Sequence, residues 1–463
     1  MLVIKLRIGF TPLRIGSIDS LLLFVTIKLK FVTNCSILST GADDCGCLKL
    51  TPFIKNGSTE LARTLSRVDP SQFLNVTSHS GFLTVNEEYD SNIFFWFFPH
   101  KEAARRPWMI WLQGGPGCSS LYGLFHIIGP FHIVDEELHP RNVTWASDYS
   151  LLFVDNPVGA GYSYTKDKRG LTTNEDQVGE QLYDFLVQFL KIFPEMRKAP
   201  LFIAGESYAG KYVPAFGIQI HRHRYSTNET INFKGMSIGN GLIDPRSQMN
   251  YTELCGVMGI VEGVDLIKLK QIETDVVRFI DAGRMIDAAN KFNETIEFIK
   301  EKSGVNIFNF NRNPSKGAPE YEAFLNRSEV QRAIHVGNVV HTFNNQTVYQ
   351  SMLPDIMNTT RPFLEELLEH YGVLSYSGQL DVILPYGLSK HLYDVLEWSG
   401  RDEYTVAPRE CVRLSKDGPI AAYKKSGGNF VEVLIRLAGH MVPNDQPYVA
   451  RHMIRSFINQ FKN

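Results

Sequence analysis

The stretch L-F-I-A-G-E-S-Y-A-G-K-Y-V-P, residues 201–214, decides the fold that the sequence predicts. An apolar run ends in Gly205-Glu206-Ser207-Tyr208-Ala209, so a serine directly follows a buried strand and lies among small residues. A sharp strand-to-helix turn of this kind lifts a serine hydroxyl to the edge of a sheet, where it acts as a nucleophile. An ordinary strand–turn–helix junction, with Ser207 as the helix cap, is the alternative, because Ala209 stands where the usual pattern has glycine.

Two residues downstream favour the nucleophile. A serine hydroxyl needs a general base, and that base needs an acid to orient it. In an α/β hydrolase the acid and then the histidine follow the serine along the chain, each just beyond a strand. Asp381 follows the apolar run Val373–Tyr376, and His440 follows Val431–Leu437. A turn-forming aspartate or a hydrogen-bonded histidine explains either residue alone, but the order of all three predicts a catalytic triad.

A glycine-rich loop lies upstream of the elbow, where an α/β hydrolase carries its oxyanion loop. The sequence from Trp111 to Gly117 reads W-L-Q-G-G-P-G and follows a predicted strand. Backbone N–H groups have to reach the negatively charged oxygen of a tetrahedral intermediate, and glycines permit that close approach. A plain Gly/Pro turn is the alternative, and the position in the chain favours the oxyanion loop.

The pattern along the chain predicts an α/β-hydrolase fold with a mostly parallel central sheet and a helical insertion. Helices are predicted at Glu175–Phe193 and Tyr208–His221. Charged helical stretches occupy the insertion, about residues 242–332, and residues 41–463 are expected to form a single domain. Strands are predicted at Ile93–Phe98, Trp108–Leu112, Leu151–Val154, Leu201–Ala204, Val373–Tyr376 and Val431–Leu437.

Composition excludes several classes of protein. The 463 residues are 44% hydrophobic and 21% charged with a net charge of −2, which gives no basic field for nucleic acid. No segment has about 18 uninterrupted apolar residues, so stable membrane insertion is not expected. Six cysteines fit an oxidising compartment. Cys45 and Cys47 are spaced too closely to suggest a mutual bridge and lack a second pair for zinc, so neither a metal nor a cofactor is expected.

The amino terminus and the sequons point to the secretory pathway. Residues 1–40 carry basic residues, an apolar run and then small residues, which predicts a secretory signal. The acceptor pattern N-x-S/T also occurs at Asn34, and it marks surface positions of a secreted or lysosomal protein. The further candidate glycosylation sites are Asn56, Asn75, Asn142, Asn228, Asn250, Asn293, Asn326, Asn345 and Asn358.

Four extended motifs carry a resemblance to a known family. They are W-L-Q-G-G-P-G-C-S-S, D-N-P-V-G-A-G-Y-S-Y, G-E-S-Y-A-G-K-Y-V-P and A-G-H-M-V-P-N-D-Q-P. In this order they closely resemble the serine carboxypeptidases, and the stretch near Asn92 and G-Q-L-D at Asp381 look most like the vitellogenic-like branch. The resemblance extends from about residue 50 to residue 461. It implies that Ser207 is the nucleophile, His440 the general base and Asp381 its orienting partner.

The resemblance implies further roles around this triad. The N–H groups of Gly115 and Tyr208 would form the oxyanion hole, and Met441 would lie near the pocket for the leaving residue. Recognition of the substrate's free carboxylate maps to Trp111, Gln113, Gly114 and Glu206. Gln113 replaces an asparagine of better-known members. A protonated Glu206 can donate a hydrogen bond to a carboxylate, so the enzyme is expected to work at acidic pH.

One departure from the family pattern concerns a second glutamate. Relatives usually pair the acid before the serine with another one, at the position that Ile127 occupies in L-Y-G-L-F-H-I-I-G-P. Without that partner, desolvation has to keep Glu206 protonated, although His126 is adjacent to Ile127.

The sequence therefore predicts a serine carboxypeptidase that acts on the carboxyl termini of peptides and proteins. Two alternatives remain. An acyltransferase or esterase on the same scaffold would not depend on a free substrate carboxylate. A non-catalytic secreted glycoprotein would have no need of a complete triad. The oligomeric state cannot be read from the sequence.

Overall fold

The computed structural model describes residues 45–224, 231–313 and 319–463. These residues fall in one compact unit, Asp44–Asn463. The predicted signal in residues 1–40 and the sequons at Asn34 and Asn228 lie outside the described residues. Within the described part of the chain, none of the helices combines the length and apolar character needed to cross a bilayer.

Most strands of the described residues belong to one large sheet. The strands are β1 (Arg67–Val68), β2 (Ser78–Asn86), β3 (Ser91–Phe98), β4 (Trp108–Leu112), β5 (Phe131–Val134), β6 (Glu137–Pro140), β7 (Ser150–Val154), β8 (Leu201–Glu206), β9 (Phe233–Gly239), β10 (Gly372–Gly378), β11 (Glu410–Val412), β12 (Ala422–Gly427) and β13 (Phe430–Ile435). The large sheet has the order β1-β2-β3-β7-β4-β8-β9-β10-β13-β12-β11, and β5 pairs only with β6.

The centre of the large sheet is parallel, and its edges are antiparallel. Neighbours run parallel from β7 through β4, β8, β9 and β10 to β13. The strands outside this group pair antiparallel with their neighbours. The carboxyl ends of β8, β10 and β13 therefore lie at one edge of the sheet, so residues that follow these strands meet there.

Helices cover the sheet. They are α1 (Thr51–Lys55), α2 (Thr59–Leu65), α3 (Glu175–Ile192), α4 (Ala209–His223), α5 (Tyr251–Val257), α6 (Gly263–Asp281), α7 (Met285–Ser303), α8 (Glu320–Leu325), α9 (Ser328–Ala333), α10 (Gln346–Met352), α11 (Arg361–Leu368), α12 (Tyr386–Val395), α13 (Arg401–Val406), α14 (Val442–Asp445) and α15 (Pro447–Phe461). Between β9 and β10, the described residues form helices α5 to α11 and add no strand to the large sheet.

Strand β3 explains why the sequence can be apolar at consecutive positions. Successive side chains of a strand point to opposite faces, and this sheet is buried on both. Phe95 and Phe97 pack in one core cluster together with residues of α3, whereas Phe94 and Trp96 pack in a second cluster with residues of α15. A run of aromatic residues without alternation is therefore what a central strand of a two-sided sheet requires.

The predicted strands and helices are present, and the differences lie mainly at their ends. Strand β4 has the predicted bounds, and α3 ends one residue earlier than expected. Strand β9 is not predicted from the sequence, because F-K-G-M-S-I-G contains a lysine, two glycines and a serine among its apolar residues. These residues are tolerated there because the neighbouring strands β8 and β10 supply the hydrogen bonds and the strand is almost wholly buried.

The expectation that Cys45 and Cys47 do not bridge each other is wrong: their sulfur atoms form a disulfide. Gly46 between them has a φ of 63°, so the chain turns back and brings the two Cα atoms within 5.3 Å. Among the described residues, Cys118, Cys255 and Cys411 are free.

Candidate active site

Ser207 stands in the turn between β8 and α4, as the sequence predicts. Its φ of 66° lies in the left-handed region, a conformation that costs a residue with a side chain about 1–3 kcal/mol. Its N–H donates to the Gly239 carbonyl at 2.9 Å. Gly205 has to be small, because a Cβ there would lie 2.7 Å from the Cβ of Ala209. The N-cap of α4 is Tyr208, so Ser207 is not the helix cap.

Asp381 and His440 form a buried hydrogen-bonded pair. His440 Nδ1 lies 2.7 Å from Asp381 Oδ2, and the two residues are 2% and 1% exposed. Asp381 Oδ1 accepts from the N–H groups of Ile383 at 3.0 Å and Leu384 at 3.3 Å. The backbone N–H of His440 donates to the Phe308 carbonyl at 2.6 Å. These bonds fix the carboxylate and the imidazole, so Nδ1 carries the proton and Nε2 is left as the basic nitrogen.

The third hydrogen bond of a triad is not formed in this structure. His440 Nε2 is buried and has no hydrogen-bond partner within the described residues. Ser207 follows β8 and His440 follows β13, which end at the same edge of the sheet. Catalytic hydrogen bonds of this kind often become short and aligned only with substrate present. The geometry thus brings Asp381 and His440 together and leaves Nε2 free to take a proton.

The charge on His440 is controlled by its surroundings. Burial disfavours the imidazolium, but the negative charge and the hydrogen bond of Asp381 outweigh burial and raise the pKa of His440. Glu206 acts in the same direction more weakly. An imidazolium at this position is therefore stabilised by the neighbouring carboxylate.

Asn240 is a functional residue that the sequence reasoning missed. Its Nδ2 donates to Asp381 Oδ2 at 2.6 Å, and its Oδ1 accepts from the Gly378 N–H at 3.2 Å. Asn240 follows β9 directly and has a φ of 43°. The dipeptide Asn240-Gly241 is a turn pattern, and it was the only available hint. Asn240 thus holds the carboxylate that orients His440.

The glycine loop after β4 packs directly against the elbow. A Cβ on Gly114 would lie 2.5 Å from the backbone nitrogen of Tyr208, and Gly115 has a φ of 117°. Neither the Gly115 N–H nor the Tyr208 N–H donates a hydrogen bond to another described residue. Two backbone donors beside the Ser207 hydroxyl are the arrangement that an oxyanion hole requires.

The Asp155 carboxylate holds this loop in place through hydrogen bonds, a role that the sequence analysis did not assign. The carboxylate is fully buried and accepts from the Ser119 hydroxyl at 2.6 Å and the Ser120 N–H at 2.9 Å. A third bond comes from the Tyr162 N–H at 2.9 Å. Burial raises the pKa of Asp155 to about 6, although the donated hydrogen bonds oppose that shift. The motif D-N-P-V-G-A-G-Y-S-Y therefore supports the loop rather than the chemistry.

Three predicted carboxylate-binding side chains form a hydrogen-bonded chain. Trp111 Nε1 donates to Gln113 Oε1 at 3.1 Å, and Gln113 Nε2 donates to Glu206 Oε1 at 3.2 Å. The exposed fractions are 1% for Trp111, 6% for Gln113 and zero for Glu206. An amide NH₂ has two hydrogens, so Gln113 retains one donor for another group. Gln113 thus links Trp111 to Glu206 and keeps a donor available.

Glu206 is held toward its neutral form. Burial raises the pKa of Glu206 to about 7, while His440 and the Gln113 hydrogen bond act against that shift. Glu206 Oε2 is buried and has no partner among the described residues. A neutral carboxyl group can donate a hydrogen bond from this oxygen to a substrate carboxylate. The expectation that desolvation has to replace the missing second glutamate agrees with burial as the largest cause.

Ile127 and Met441 are the two apolar residues of interest. Ile127 is 2% exposed and belongs to the core cluster that contains Trp111. Met441 is half-buried and packs against the same cluster.

The ring of His126, next to Ile127 in the sequence, stacks on Tyr122, with 4.8 Å between the ring centres. Burial lowers the pKa of His126 to about 4, so it is neutral near pH 7.

A cavity of about 210 Å³ opens beside Ser207. Gly115 and Pro116 of the glycine loop line the cavity together with Tyr208. Residues of helices α7 and α10, which lie between β9 and β10 in the sequence, line it as well. Its other lining residues are Leu242, Phe292, Asn293, Ile296, Glu297, Tyr349, Ile356, Ile383 and Leu384. The walls are mostly apolar, which suits a substrate side chain.

The candidate glycosylation sites differ in exposure. Asn56, Asn75 and Asn142 are exposed. Asn250, Asn293, Asn326, Asn345 and Asn358 are half-buried. Four of the latter use their Nδ2 group in hydrogen bonds to the protein: Asn250, Asn326, Asn345 and Asn358. Glycosylation at each position stays a prediction from the sequence, and exposure favours the first group.

No metal-binding group is evident: the described ranges contain no cluster of His, Cys, Asp and Glu side chains that could hold an ion. That the protein works without a metal or an organic cofactor stays a prediction.

Residues 69–460 match the profile of a family described as serine carboxypeptidase. The vitellogenic carboxypeptidase of Aedes aegypti is 39% identical over 430 residues, which cover 89% of this chain and 90% of that protein. The venom serine carboxypeptidase of Apis mellifera is 37% identical over 429 residues, covering 90% of this chain and 91% of its own length. The probable serine carboxypeptidase CPVL of Homo sapiens is 37% identical, covering 89% of each chain.

A solved structure supports the fold assignment. A prohormone-processing carboxypeptidase from Saccharomyces cerevisiae superposes with a TM-score of 0.75 at 24% identity, covering 86% of this chain and 96% of its own. With the sheet order found here, this likeness identifies the fold as an α/β hydrolase, as the sequence predicted.

Proposed function

Because this chain belongs to the serine carboxypeptidase family, we propose that it removes the last residue of peptides and proteins with Ser207 as nucleophile, His440 as general base and Asp381 as orienting acid. The observation that carries the proposal is the buried Asp381–His440 pair at the same sheet edge as the Ser207 elbow. A serine carboxypeptidase requires a serine nucleophile, an Asp–His pair of this kind, two N–H donors for the oxyanion and a site for the free carboxylate of the substrate.

The first half of the reaction forms an acyl-enzyme. The Ser207 Oγ attacks the last peptide carbonyl while His440 Nε2 takes the hydroxyl proton. The oxyanion of the tetrahedral intermediate accepts hydrogen bonds from the N–H groups of Gly115 and Tyr208. The C–N bond then breaks, and His440 gives its proton to the departing amine. The released product is the carboxyl-terminal amino acid, and the remaining peptide is esterified to Ser207.

The second half is hydrolysis of that ester. A water molecule gives a proton to His440 and attacks the acyl carbon, and the same N–H groups hold the oxyanion. Collapse returns the proton to Ser207 Oγ and releases the shortened peptide with a new carboxylate. The Asp381 carboxylate stabilises the imidazolium in both halves.

Carboxylate recognition restricts the reaction to the last residue. Gln113 and a protonated Glu206 would donate hydrogen bonds to the substrate carboxylate. Trp111 would hold the Gln113 amide in place, and Gly114 would contribute its backbone to the same site. Met441 would border the leaving residue. Below a pH of about 7, the raised pKa of Glu206 keeps this carboxyl neutral, which supports work at acidic pH.

The compartment is proposed to be extracellular or lysosomal. Exposed sequons at Asn56, Asn75 and Asn142 support passage through the secretory pathway. The similarity to a venom carboxypeptidase supports secretion as well. Peptides and proteins with a free carboxyl terminus are the proposed partners.

Release of the last residue from an N-blocked dipeptide tests the proposal, compared with the same dipeptide as its carboxyl-terminal amide. We expect the acid to be cleaved between pH 4 and 7, the amide to be cleaved much less, and Ser207→Ala to cleave neither. Cleavage that depends on Ser207 but not on the carboxylate would indicate an esterase or acyltransferase on the same scaffold. Equal rates for Ser207→Ala and the wild type would contradict the catalytic proposal altogether.

A further inference from the structure

Asn293 lies at an unexpected place for a glycan acceptor. It is in the interior of helix α7 and lines the cavity that contains Ser207. Its sequon partner Thr295 is fully buried, and the Thr295 hydroxyl donates to the Lys291 carbonyl of the same helix at 2.9 Å. A glycan on Asn293 would start at the wall of the cavity beside the nucleophile. The exposed sequon at Asn56 has no such obstacle.

The side chain of Asn293 is already positioned by the protein. The Tyr349 hydroxyl donates to Asn293 Oδ1 at 2.8 Å, and both residues are half-buried. This bond settles which end of the amide faces Tyr349, so the Nδ2 group is the end that remains for another partner. Nδ2 makes no hydrogen bond to other described residues. A hydrogen-bond donor is thus held in place on a wall that is otherwise mainly apolar.

The cavity lies on the acyl side of the cleaved bond. Its lining includes Ser207 and the two oxyanion donors Gly115 and Tyr208. None of the proposed carboxylate-binding side chains, Trp111, Gln113 and Glu206, contributes to that lining. The leaving residue with its carboxylate therefore takes the other direction from Ser207. The side chain of the preceding residue, which forms the acyl-enzyme, remains as the occupant of the cavity.

We propose that Asn293, oriented by Tyr349, is an unglycosylated specificity residue that selects a penultimate tyrosine over phenylalanine. This inference rests on the proposed function and deepens it. The walls formed by residues such as Ile296, Ile356 and Leu384 exclude water from an aromatic ring, and Asn293 Nδ2 donates to its hydroxyl oxygen. A side chain without the hydroxyl leaves this donor unpaired and binds less tightly for that reason.

The test compares kcat/KM for two N-blocked dipeptides, Tyr-Leu and Phe-Leu. We expect the wild type to prefer Tyr-Leu by roughly two- to tenfold, the range of one neutral hydrogen bond. Asn293→Ala is expected to bring this ratio to about one, and Tyr349→Phe to reduce it. Thr295→Val removes the sequon, keeps Asn293, and is expected to leave the ratio unchanged. Mass spectrometry of the peptide that contains Asn293 is expected to find no glycan.

A glycan on Asn293 that Thr295→Val removes would overturn the inference, and so would a Tyr-Leu to Phe-Leu ratio that Asn293→Ala does not change. Titration of Ser207 with a fluorophosphonate counts the correctly folded sites in each variant, so loss of fold is not mistaken for loss of selectivity. If the wild type releases leucine from both dipeptides at equal rates, the inference fails and the proposed function stands. If it releases none from either, the proposed function fails, and the inference with it.

Discussion

Gln113 donates a hydrogen bond to Glu206 Oε1 at 3.2 Å, and the two side chains meet in a fully buried site directly before the nucleophile. Trp111 fixes the other end of the Gln113 amide. The family resemblance leads one to expect a second glutamate at the position of Ile127, and here Ile127 is part of the apolar core. A carboxyl group with an amide donor and an apolar surrounding is easiest to bury when it is neutral. Burial, rather than a proton shared with a second carboxyl group, therefore favours the neutral form of Glu206.

The alkaline limit of the reaction is expected to report Glu206. Its pKa of about 7 is raised above the usual value, so the protonated form that donates to a substrate carboxylate is present below that pH and disappears above it. We expect kcat/KM for an N-blocked dipeptide acid to fall as the pH rises through about 7. Steady-state rates between pH 4 and 8.5 measure this limit.

Glu206→Gln is the matched variant for this pH dependence. It keeps a neutral donor at every pH, so the decline of kcat/KM above pH 7 is expected to be lost in this variant. The same decline in Glu206→Gln would show that another group titrates.

Gly114→Ala is expected to damage the oxyanion hole. The new Cβ would lie 2.5 Å from the Tyr208 nitrogen, so the loop and the elbow would have to separate. Loss of one oxyanion donor typically lowers kcat about 10²–10³-fold, and we expect a loss of that order. Steady-state kinetics on an N-blocked dipeptide measures it.

Gly387→Ala is the control for the glycine substitution. Gly387 lies in helix α12, and the nearest atom to its added Cβ would be 4.0 Å away. Activity is expected to be unchanged, since alanine also favours the helix. A wild-type kcat for Gly114→Ala would contradict the proposed geometry of the hole.

Asn240→Ala is expected to lower kcat about tenfold or more with little change in KM. The substitution removes the Nδ2 donor, 2.6 Å from Asp381 Oδ2, so the carboxylate that orients His440 is less well held. Since Asn240 touches no substrate, the rate of acylation changes rather than binding. Pre-steady-state acylation rates and KM, measured together, separate the two. A raised KM with an unchanged acylation rate would assign Asn240 to binding instead.

The three residues of the proposed triad could be singled out from the sequence because each of them follows a recognisable apolar run. Ser207, Asp381 and His440 come after strands β8, β10 and β13, and parallel strands end at one edge of a sheet. Residues that follow these strands in the sequence are therefore expected to lie near one another in the fold. A raised pKa of Glu206 through burial was also expected from the sequence, because Ile127 occupies the position of a second carboxyl group.

The supporting residues could not be found in this way. Asn240 bonds to a carboxylate 141 positions away, and strand β9, which positions it, has a mixed sequence. Asp155 holds the loop that begins at Gly114 through bonds with no local sequence pattern. The Cys45–Cys47 bridge depends on the positive φ of Gly46. Each depends on tertiary contacts or backbone conformation, which periodicity and spacing do not encode.

Removing the counter-ion of Lys211 is expected to destabilise the fold. Lys211 lies four residues after Ser207 and is fully buried, and its Nζ lies 3.2 Å from Asp355 Oδ2 and 3.3 Å from the Ile356 carbonyl. Nearby Glu175 does not neutralise the charge of Lys211, because burial raises the pKa of Glu175 to about 8 and keeps this carboxyl neutral near pH 7. Asp355→Ala therefore leaves a buried cation unpaired, at an expected cost of about 3–5 kcal/mol. Urea denaturation of wild type and variant measures it.

The double variant Lys211→Met with Asp355→Leu separates charge from packing. It removes both charges and fills their space with apolar groups, so it is expected to be more stable than Asp355→Ala alone, because breaking a buried pair costs more than replacing it. If Asp355→Ala unfolds at the wild-type urea concentration, Lys211 has another counter-ion, and Glu175 would have to be ionised. Asp355→Ala in combination with Glu175→Gln would then show the loss of stability that the single variant lacks.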